Sequence, residues 1–286
     1  MDVRAFFPQN PLLKKYVSYY YFLKTDAADF ETRYYSFPNT TTPVNIHKNI
    51  NVKIKPYATE ISGSAIQNSM LLIQGMRKLP LLVDLKGCLD KITIHFKPLG
   101  LNQFVRKPFD EVAACDSQLF TDWDDQPGYD EFINGFYATD DYGYRIALLE
   151  EFLLSVYQPL DVNPVFEEAL TMLVDFDNEL SIEEVARRCQ ISSKTLDRFF
   201  RRHIGTSPIS FKKIARFRHS LHNKLSSDER KTLTNICYES NFYDQAYFNN
   251  VYKQIAGANP REFFKSVSQL ADNNLVFRFL NQRGLS

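Results

Sequence analysis

Two stretches of the chain repeat each other and decide its fold. Residues 196–208 read LDRFFRRHIGTSP and residues 248–260 read FNNVYKQIAGANP, so glycine and proline recur at an offset of 52. Upstream, Ser181 recurs as Thr232 at an offset of 51, which adds one residue to the turn of the second copy. A repeated segment of this length predicts that one supersecondary unit occurs twice.

Each copy predicts two helices around a tight turn. Ser181 followed by Glu184 is a capping box that opens the first helix, and Ser192 suits the N-cap of the second. In the second helix Leu196 and Phe200 lie on one apolar face. The outward residues of that helix are Ser193, Lys194, Thr195, Asp197, Arg198 and Arg201. The pattern is typical of a helix-turn-helix unit whose second helix enters the major groove of DNA.

A single helix is predicted between the two copies, from Pro208 to about Leu225. At about 1.5 Å per residue it would run roughly 25 Å. That length suits two reading helices held about one DNA turn apart.

Charge is informative only locally, because 34 basic and 34 acidic residues give the chain no net charge. Between Arg187 and Arg218, ten basic residues accompany one acidic residue, Asp197. Such a single-sign run predicts contacts with DNA phosphates.

The second copy is less basic and carries amide side chains instead. Gln245, Asn249 and Asn250 suit hydrogen bonds with adenine, whereas Arg198 of the first copy suits guanine. Lys253 is expected to hold a phosphate.

The stretch from about Leu180 to Phe264 resembles the DNA-binding domain of the AraC/XylS transcription regulators. The residues that carry the resemblance are Asn241-Phe242, Phe248, Tyr252-Lys253, Gly257 and Pro260. Asn241 stands where the family usually has glycine, and asparagine tolerates the left-handed conformation of a turn. The resemblance implies that recognition positions fall on Lys194, Thr195, Asp197 and Arg198, and on Gln245, Ala246, Asn249 and Asn250.

The N-terminal half predicts a mainly β domain, either a sandwich or barrel-like, with flanking helices. Short apolar runs over 17–23, 70–73, 81–83 and 92–96 predict strands, and 99–105 and 142–156 predict helices. A proline-containing break at 157–164 predicts a linker. The expected organisation is α+β: an effector-binding or dimerisation domain at 1–156, an all-α DNA-binding domain at 165–267 and a tail or short docked helix at 268–286.

Several classes of function are disfavoured. The chain contains no phosphate-binding glycine loop, no GxSxG and no HExxH, and its four cysteines are far apart. His47 and His95 are isolated in the sequence, so we expect no catalytic residue, no metal, no cofactor and no enzyme. Without a secretory signal or a membrane-spanning run, a cytoplasmic protein with no membrane partner is expected.

The sequence thus favours a sequence-specific DNA-binding transcription regulator, with an activator as the expected type. The resemblance implies that its N-terminal domain binds an effector, dimerises, or both. The expected partners are double-stranded promoter DNA, a small-molecule effector, RNA polymerase and a second copy of the chain in a homodimer. The alternative is a DNA-binding regulator whose N-terminal domain serves only assembly or docking of a protein partner. Aromatic residues in 16–23 and 33–37 suit either a core or an apolar ligand pocket.

Overall fold

Two six-stranded sheets pack face to face in the N-terminal half of the computed structural model, which describes residues 1–225, 231–270 and 275–280. The strands are β1 (Asp2–Phe6), β2 (Val17–Thr25), β3 (Glu31–Ser36), β4 (Thr42–Lys48), β5 (Ile50–Lys55), β6 (Ala58–Gly63), β7 (Ser69–Ile73), β8 (Leu81–Lys86), β9 (Leu89–Phe96), β10 (Gln118–Leu119), β11 (Ser268–Leu270) and β12 (Leu275–Phe279). The first sheet has the order β1-β2-β9-β4-β7-β10, and the second has the order β11-β12-β3-β8-β6-β5. All neighbours are antiparallel except β6 and β8, which run parallel.

Strand β2 shows why the first sheet reads as an almost continuous apolar run. Side chains alternate between the faces of a strand, and both faces of β2 are covered. Tyr19 and Tyr21 point into the core between the two sheets. Tyr20 and Phe22 pack on the opposite face, in a second core that includes the fully buried Trp123.

Helices cover the outer face of the first sheet and then form the entire C-terminal domain. In the first half they are α1 (Leu13–Tyr16), α2 (Phe109–Val112), α3 (Tyr129–Tyr137) and α4 (Tyr142–Ser155). The C-terminal helices are α5 (Val165–Val174), α6 (Ile182–Arg188), α7 (Ser193–Ile204), α8 (Pro208–Leu225), α9 (Leu233–Glu239), α10 (Gln245–Ala256) and α11 (Pro260–Ser266). None of the helices within the described residues is both long and apolar enough to cross a membrane.

The predicted repeat is confirmed residue by residue. Helices α6 and α9 have equal lengths at an offset of 51, and α7 and α10 have equal lengths at an offset of 52. Ser192 caps α7 by accepting a hydrogen bond from the Thr195 amide at 3.0 Å, and Asp244 caps α10 in the same way. Both helices end at a glycine in the left-handed conformation, Gly205 and Gly257. The α+β class and the two helix-turn-helix motifs joined by α8 are therefore confirmed.

Half of the predicted capping box forms. The Glu184 amide donates to Ser181 Oγ at 3.1 Å, as expected. The Glu184 carboxylate does not return to Ser181, because Arg187 and Arg188 bind it instead.

The first domain is a sandwich of two separate sheets within the described residues, which confirms the sandwich and not the barrel-like alternative. Two other expectations for the rest of the chain are wrong. The predicted helix at 99–105 is only a short 3-10 turn, Leu101–Gln103, because Leu99 is left-handed with φ 61°. Residues 268–270 and 275–279 are neither a tail nor a helix: they are β11 and β12, and β12 pairs with β3 of the sandwich. Residues 281–286 lie outside the described part of the chain.

The turns of the two motifs give a stability prediction. Gln190 and Asn241 occupy equivalent positions with φ 54° and 52°, a conformation that costs most residues other than glycine about 1–2 kcal/mol. Because glycine adds flexibility to the unfolded chain, we expect Gln190→Gly to raise the free energy of unfolding by a net ~0.5–1 kcal/mol. Urea denaturation measures this change in the free energy of unfolding. Gln190→Ala is the matched control and should give no gain; an equal gain would show that the backbone conformation is not the cause.

Candidate nucleic-acid interface

The outer face of α7 carries the residues predicted for the first reading helix. Ser193, Lys194, Arg198 and Arg201 are exposed, and Thr195 and Asp197 are half-buried. The inward residues Leu196, Phe199 and Phe200 are buried. Thr195 is held by its bonds with Ser192, and Arg201 donates to the Asp197 carboxylate at 2.7 Å. The most accessible cations of this face are therefore those that form no ion pair with another residue of α7.

Helix α10 presents the second predicted set. Gln245, Ala246, Asn249, Asn250 and Lys253 are all exposed. Gln245 Nε2 donates to Thr234 Oγ1 of α9 at 2.8 Å, which fixes the orientation of its amide group.

Several cations of the basic run at 187–218 are already paired with acidic side chains. Two glutamates that precede the run in sequence, Glu179 and Glu184, neutralise part of its charge. Arg187 and Arg188 lie 2.7 and 3.0 Å from the Glu184 carboxylate, and their hydrogen bonds lower the pKa of Glu184 to about 2. Glu179 pairs with Lys212 at 2.8 Å and also with Arg216. Among the described residues of the run, the exposed cations without an ion-pair partner therefore lie on α7.

Three cations on α7 form a stripe. Lys194, Arg198 and Arg202 are spaced four residues apart, so they share one side of the helix, and all three are exposed. None of them has an ion-pair partner among the described residues. Arg202 was not singled out from the sequence, although its spacing from Arg198 was a usable signal. The equivalent positions of α10 are Ala246, Asn250 and Gln254, which makes the second stripe neutral.

The sandwich contacts the first helix-turn-helix unit at the C-terminal end of α7. A Cβ on Gly205 would lie 3.1 Å from the Phe109 ring of α2. Asn102 Nδ2 donates to the His203 carbonyl at 3.2 Å. The C-terminal end of α7 is therefore held against the N-terminal domain, whereas its first turn is exposed.

The sandwich contacts the second unit through Phe37, which is 1% exposed. Its ring packs against Phe263 of α11 at 4.9 Å between centroids, within the core that includes Phe217 of α8. Arg218 of α8 donates to the carbonyls of Phe37 and Pro38 at 2.8 and 2.7 Å. Arg218 was counted with the DNA-facing cations, and that part of the prediction is wrong: it lies on the side of α8 that meets the sandwich.

The chain returns to the sandwich after the DNA-binding domain. In β12, Phe277 pairs with Ser36 of β3, and the Leu280 amide donates to the Arg33 carbonyl at 2.7 Å. Val276 lies in the core of the second helix-turn-helix unit, whereas Phe277 lies in the core between the sheets. Strand β12 therefore joins the two domains a second time.

A cavity of about 50 Å³ lies where the two sheets, α8 and β12 meet. Tyr19, Tyr21, Tyr34 and Phe37 line it, as the aromatic pocket hypothesis expected, but so do charged and polar groups. The residues that supply the polar lining include Arg77, Lys91, Arg218, His47 and His95. The two histidines, isolated in sequence, thus share one cavity. No group of three or more potential metal ligands occurs among the residues that the structure describes.

Burial and the surrounding cations keep both histidines neutral. Desolvation, followed by the charges of Arg218, Lys91 and Arg77, lowers the pKa of His95 to about 3. Desolvation and Lys91 hold the pKa of His47 well below its usual range.

Fold and exposed helix faces together define a double helix-turn-helix protein with an N-terminal β-sandwich. Residues 185–266 match the family described as "Helix-turn-helix domain", and residues 5–116 match the family described as "Domain of unknown function (DUF6597)". The match over residues 185–266 supports the resemblance of the C-terminal domain to the DNA-binding domain of the AraC family of transcription regulators.

Two curated relatives are similar to part of the chain. The arabinose operon regulatory protein of Escherichia coli (strain K12) is 32% identical over 128 residues, which are 41% of this chain and 42% of the relative. That of Salmonella typhimurium is 30% identical over 121 residues, or 42% of this chain and 41% of the relative. The match thus spans about two fifths of the relatives' length. A structure of ToxT from Vibrio cholerae aligns with a TM-score of 0.48 and 11% identity, covering 86% of this chain and 97% of that one.

The lowered histidine pKa predicts acid sensitivity. Folded His95 stays neutral, whereas the unfolded chain takes up this proton below about pH 6.5, so stability is lost as pH falls from about 6.5 towards 3. At ~1.4 kcal/mol per pH unit, we expect His95 to account for about 2 kcal/mol of the stability lost between pH 6.5 and 5. Denaturation of the parent and of His95→Gln at several pH values across this range measures how the free energy of unfolding depends on pH. Equal pH slopes in the two proteins would contradict the assignment.

Proposed function

We propose that this chain is a sequence-specific transcription regulator that inserts α7 and α10 into successive major-groove faces of a promoter operator. The observation that carries the proposal is the pair of equal, capped, outward-facing helices joined by α8. Helix α8 has 18 residues and therefore spans about 27 Å, close to one turn of DNA.

The two reading helices have different chemistry in this proposal. The cationic stripe of α7 lets Arg198 bind guanine while Lys194 and Arg202 hold phosphates. Helix α10 reads adenine through Asn249 and Asn250, with Gln245 positioned by Thr234 and Lys253 on a phosphate. An operator with one strongly electrostatic half-site and one amide-read half-site fits this asymmetry.

The N-terminal domain controls the reading helices in this proposal. Support comes from its separate contacts with each unit: α2 against the end of α7, and Phe37 inside the core around α8 and α11. A change in the sandwich is able to reach both reading helices through these contacts. The resemblance to the AraC family supports an activator that acts as a homodimer and contacts RNA polymerase.

A small-molecule effector is favoured over a purely structural N-terminal domain because the cavity borders both domains. An effector screen requires the full chain. A fragment ending near residue 160 would lack β12, which completes the second sheet and one wall of the cavity.

Alanine substitution on each reading helix tests the proposal. An operator is first selected from random DNA with the parent protein. Arg198→Ala and Asn249→Ala should each weaken binding by about 1–3 kcal/mol and relax specificity at different operator positions. Quantitative gel shift or fluorescence anisotropy at fixed salt measures the change.

Arg4→Ala, at an exposed position of edge strand β1, is the matched control and should bind as the parent does. If either reading-helix variant folds normally and keeps parental affinity and specificity, two-headed reading is refuted.

A further inference from the structure

We propose that the sandwich contacts the DNA backbone directly through the loop between β7 and β8, where Lys78 binds a phosphate together with Lys213 of α8. The proposal rests on the binding of α7 and α10 to DNA proposed above, and it adds a third contact with the duplex. Because it concerns phosphates and not bases, the two proposals predict different effects on specificity and fail separately.

The loop from β7 to β8 lies between the two helix-turn-helix units. Met76 packs against the core that includes Phe200 of the first unit and also against the core that includes Phe248 of the second. A Cβ on Gly205, where α7 ends, would lie 3.9 Å from the Cβ of Met76. Two reading helices in successive major-groove faces flank the DNA segment between their half-sites. A loop between the two units is therefore placed to meet the backbone of that segment.

Hydrogen bonds fix the residue that precedes Lys78. Arg77 is buried, and its guanidinium donates to the carbonyls of Ser36 and Phe37, each at 3.3 Å. Lys78 follows directly and is exposed. Because the adjoining backbone is already held, a phosphate contact by Lys78 requires little further ordering of the loop.

Lys78 shares a groove with the end of the second reading helix. The groove has a volume of about 260 Å³, and it is lined by Lys78 and Leu79 of the loop, by Lys213 of α8 and by Gln254 of α10. Lys213 Nζ donates to Gln254 Oε1 at 3.2 Å, which holds this lysine against α10. No aspartate or glutamate of the described chain lines the groove, and neither lysine forms an ion pair within that part of the chain. Both positive charges are therefore available to an anion.

The repeat explains why a cation is required at this place. Gln254 is the counterpart of Arg202 at the offset of 52, so α10 has a neutral amide where α7 has a cation that holds a phosphate in the proposal above. Helix α7 contains four lysine or arginine residues, whereas α10 contains one, Lys253. Lys78 and Lys213 bring positive charge to the groove beside Gln254 from outside the helix. They supply the second unit with the phosphate contact that its own reading helix lacks.

The chemistry of the groove favours a duplex phosphate over a small free anion. Lysine binds phosphate as a compact point charge and needs no bidentate geometry. Lys78 is exposed and Lys213 is half-buried, so their ammonium groups are open to a large partner. Ile214 and Ile255 line the rest of the groove, which leaves few polar groups to enclose a small ion.

The salt dependence of binding to the selected operator tests the proposal on the full-length protein. Lys78→Met and Lys213→Met should each make the slope of log affinity against log salt concentration shallower by about 0.9, because each removes one phosphate contact. At 0.15 M salt this corresponds to about fivefold weaker binding. Competition with single-base operator variants should show the base preferences of the parent in both proteins.

Lys53→Met, at an exposed position of β5, makes the same charge change and should leave the slope and the affinity unchanged. Lys78→Gln and Lys213→Gln replace any methionine variant that does not fold. A parental slope in folded Lys78 variants would overturn the contact of the sandwich with DNA, and a parental slope in folded Lys213 variants would overturn the role of α8. Altered base preferences in either variant would contradict the assignment to phosphates.

Neutral methylphosphonate linkages, placed one at a time between the two half-sites, locate the contact. At least one linkage should weaken binding by the parent and have no further effect on Lys78→Met, because the charge pair is already lost. Independent, additive losses at every linkage would refute the contact. If Arg198→Ala and Asn249→Ala bind as the parent does while Lys78→Met makes the salt slope shallower, two-headed reading fails and this contact stands. The converse result refutes this contact alone.

Discussion

The burial of Phe37 inside the second helix-turn-helix unit is the contact on which the arrangement of the two domains depends. Its side chain leaves the sandwich just after β3 and is almost completely buried beside Phe217 and Phe263. Truncating an aromatic side chain in such a core costs about 3–5 kcal/mol. Two guanidinium groups, from Arg77 and Arg218, hold the backbone carbonyls on either side of the ring. Side-chain packing and hydrogen bonding thus hold the segment around Phe37 to both domains.

This docking explains why Arg218 does not serve DNA binding. Its guanidinium is committed to residues 37 and 38, and the same group borders the cavity. Arg218 of the linker helix α8 therefore takes part in the contact between the domains and also lines the cavity. Strand β12 reinforces the arrangement by pairing with β3, the strand that leads directly into Phe37. Any ligand in the cavity would act on the point where the domains are already joined.

The sequence predicts the C-terminal domain well because its signals are local. The Ser192 cap and the glycines at 205 and 257 act within a single turn of helix, so the repeat places α7 and α10 at their offset of 52. The N-terminal sandwich follows only in outline. Its strand pairing joins residues far apart in sequence, and β4, which lies next to β9, contains proline and polar residues that hide it.

Features that arise between distant segments are the ones that sequence patterns miss. His47 and His95 look isolated until β4 and β9 pair and bring both to one cavity. The basic run resembles a DNA-binding surface until Glu179 pairs with Lys212 and Arg216 of α8. The segment after residue 267 looks irregular because its partner, β3, lies more than 200 residues earlier. In each case the deciding partner is remote in the chain.

Differential scanning calorimetry of the parent protein and of Phe37→Ala tests the central claim, that sandwich and DNA-binding domain form one coupled unit through Phe37. The account predicts a single cooperative transition for the parent and two separate transitions for the variant, because each domain keeps its own core. Two transitions already present in the parent, or a single transition retained in Phe37→Ala, would contradict it.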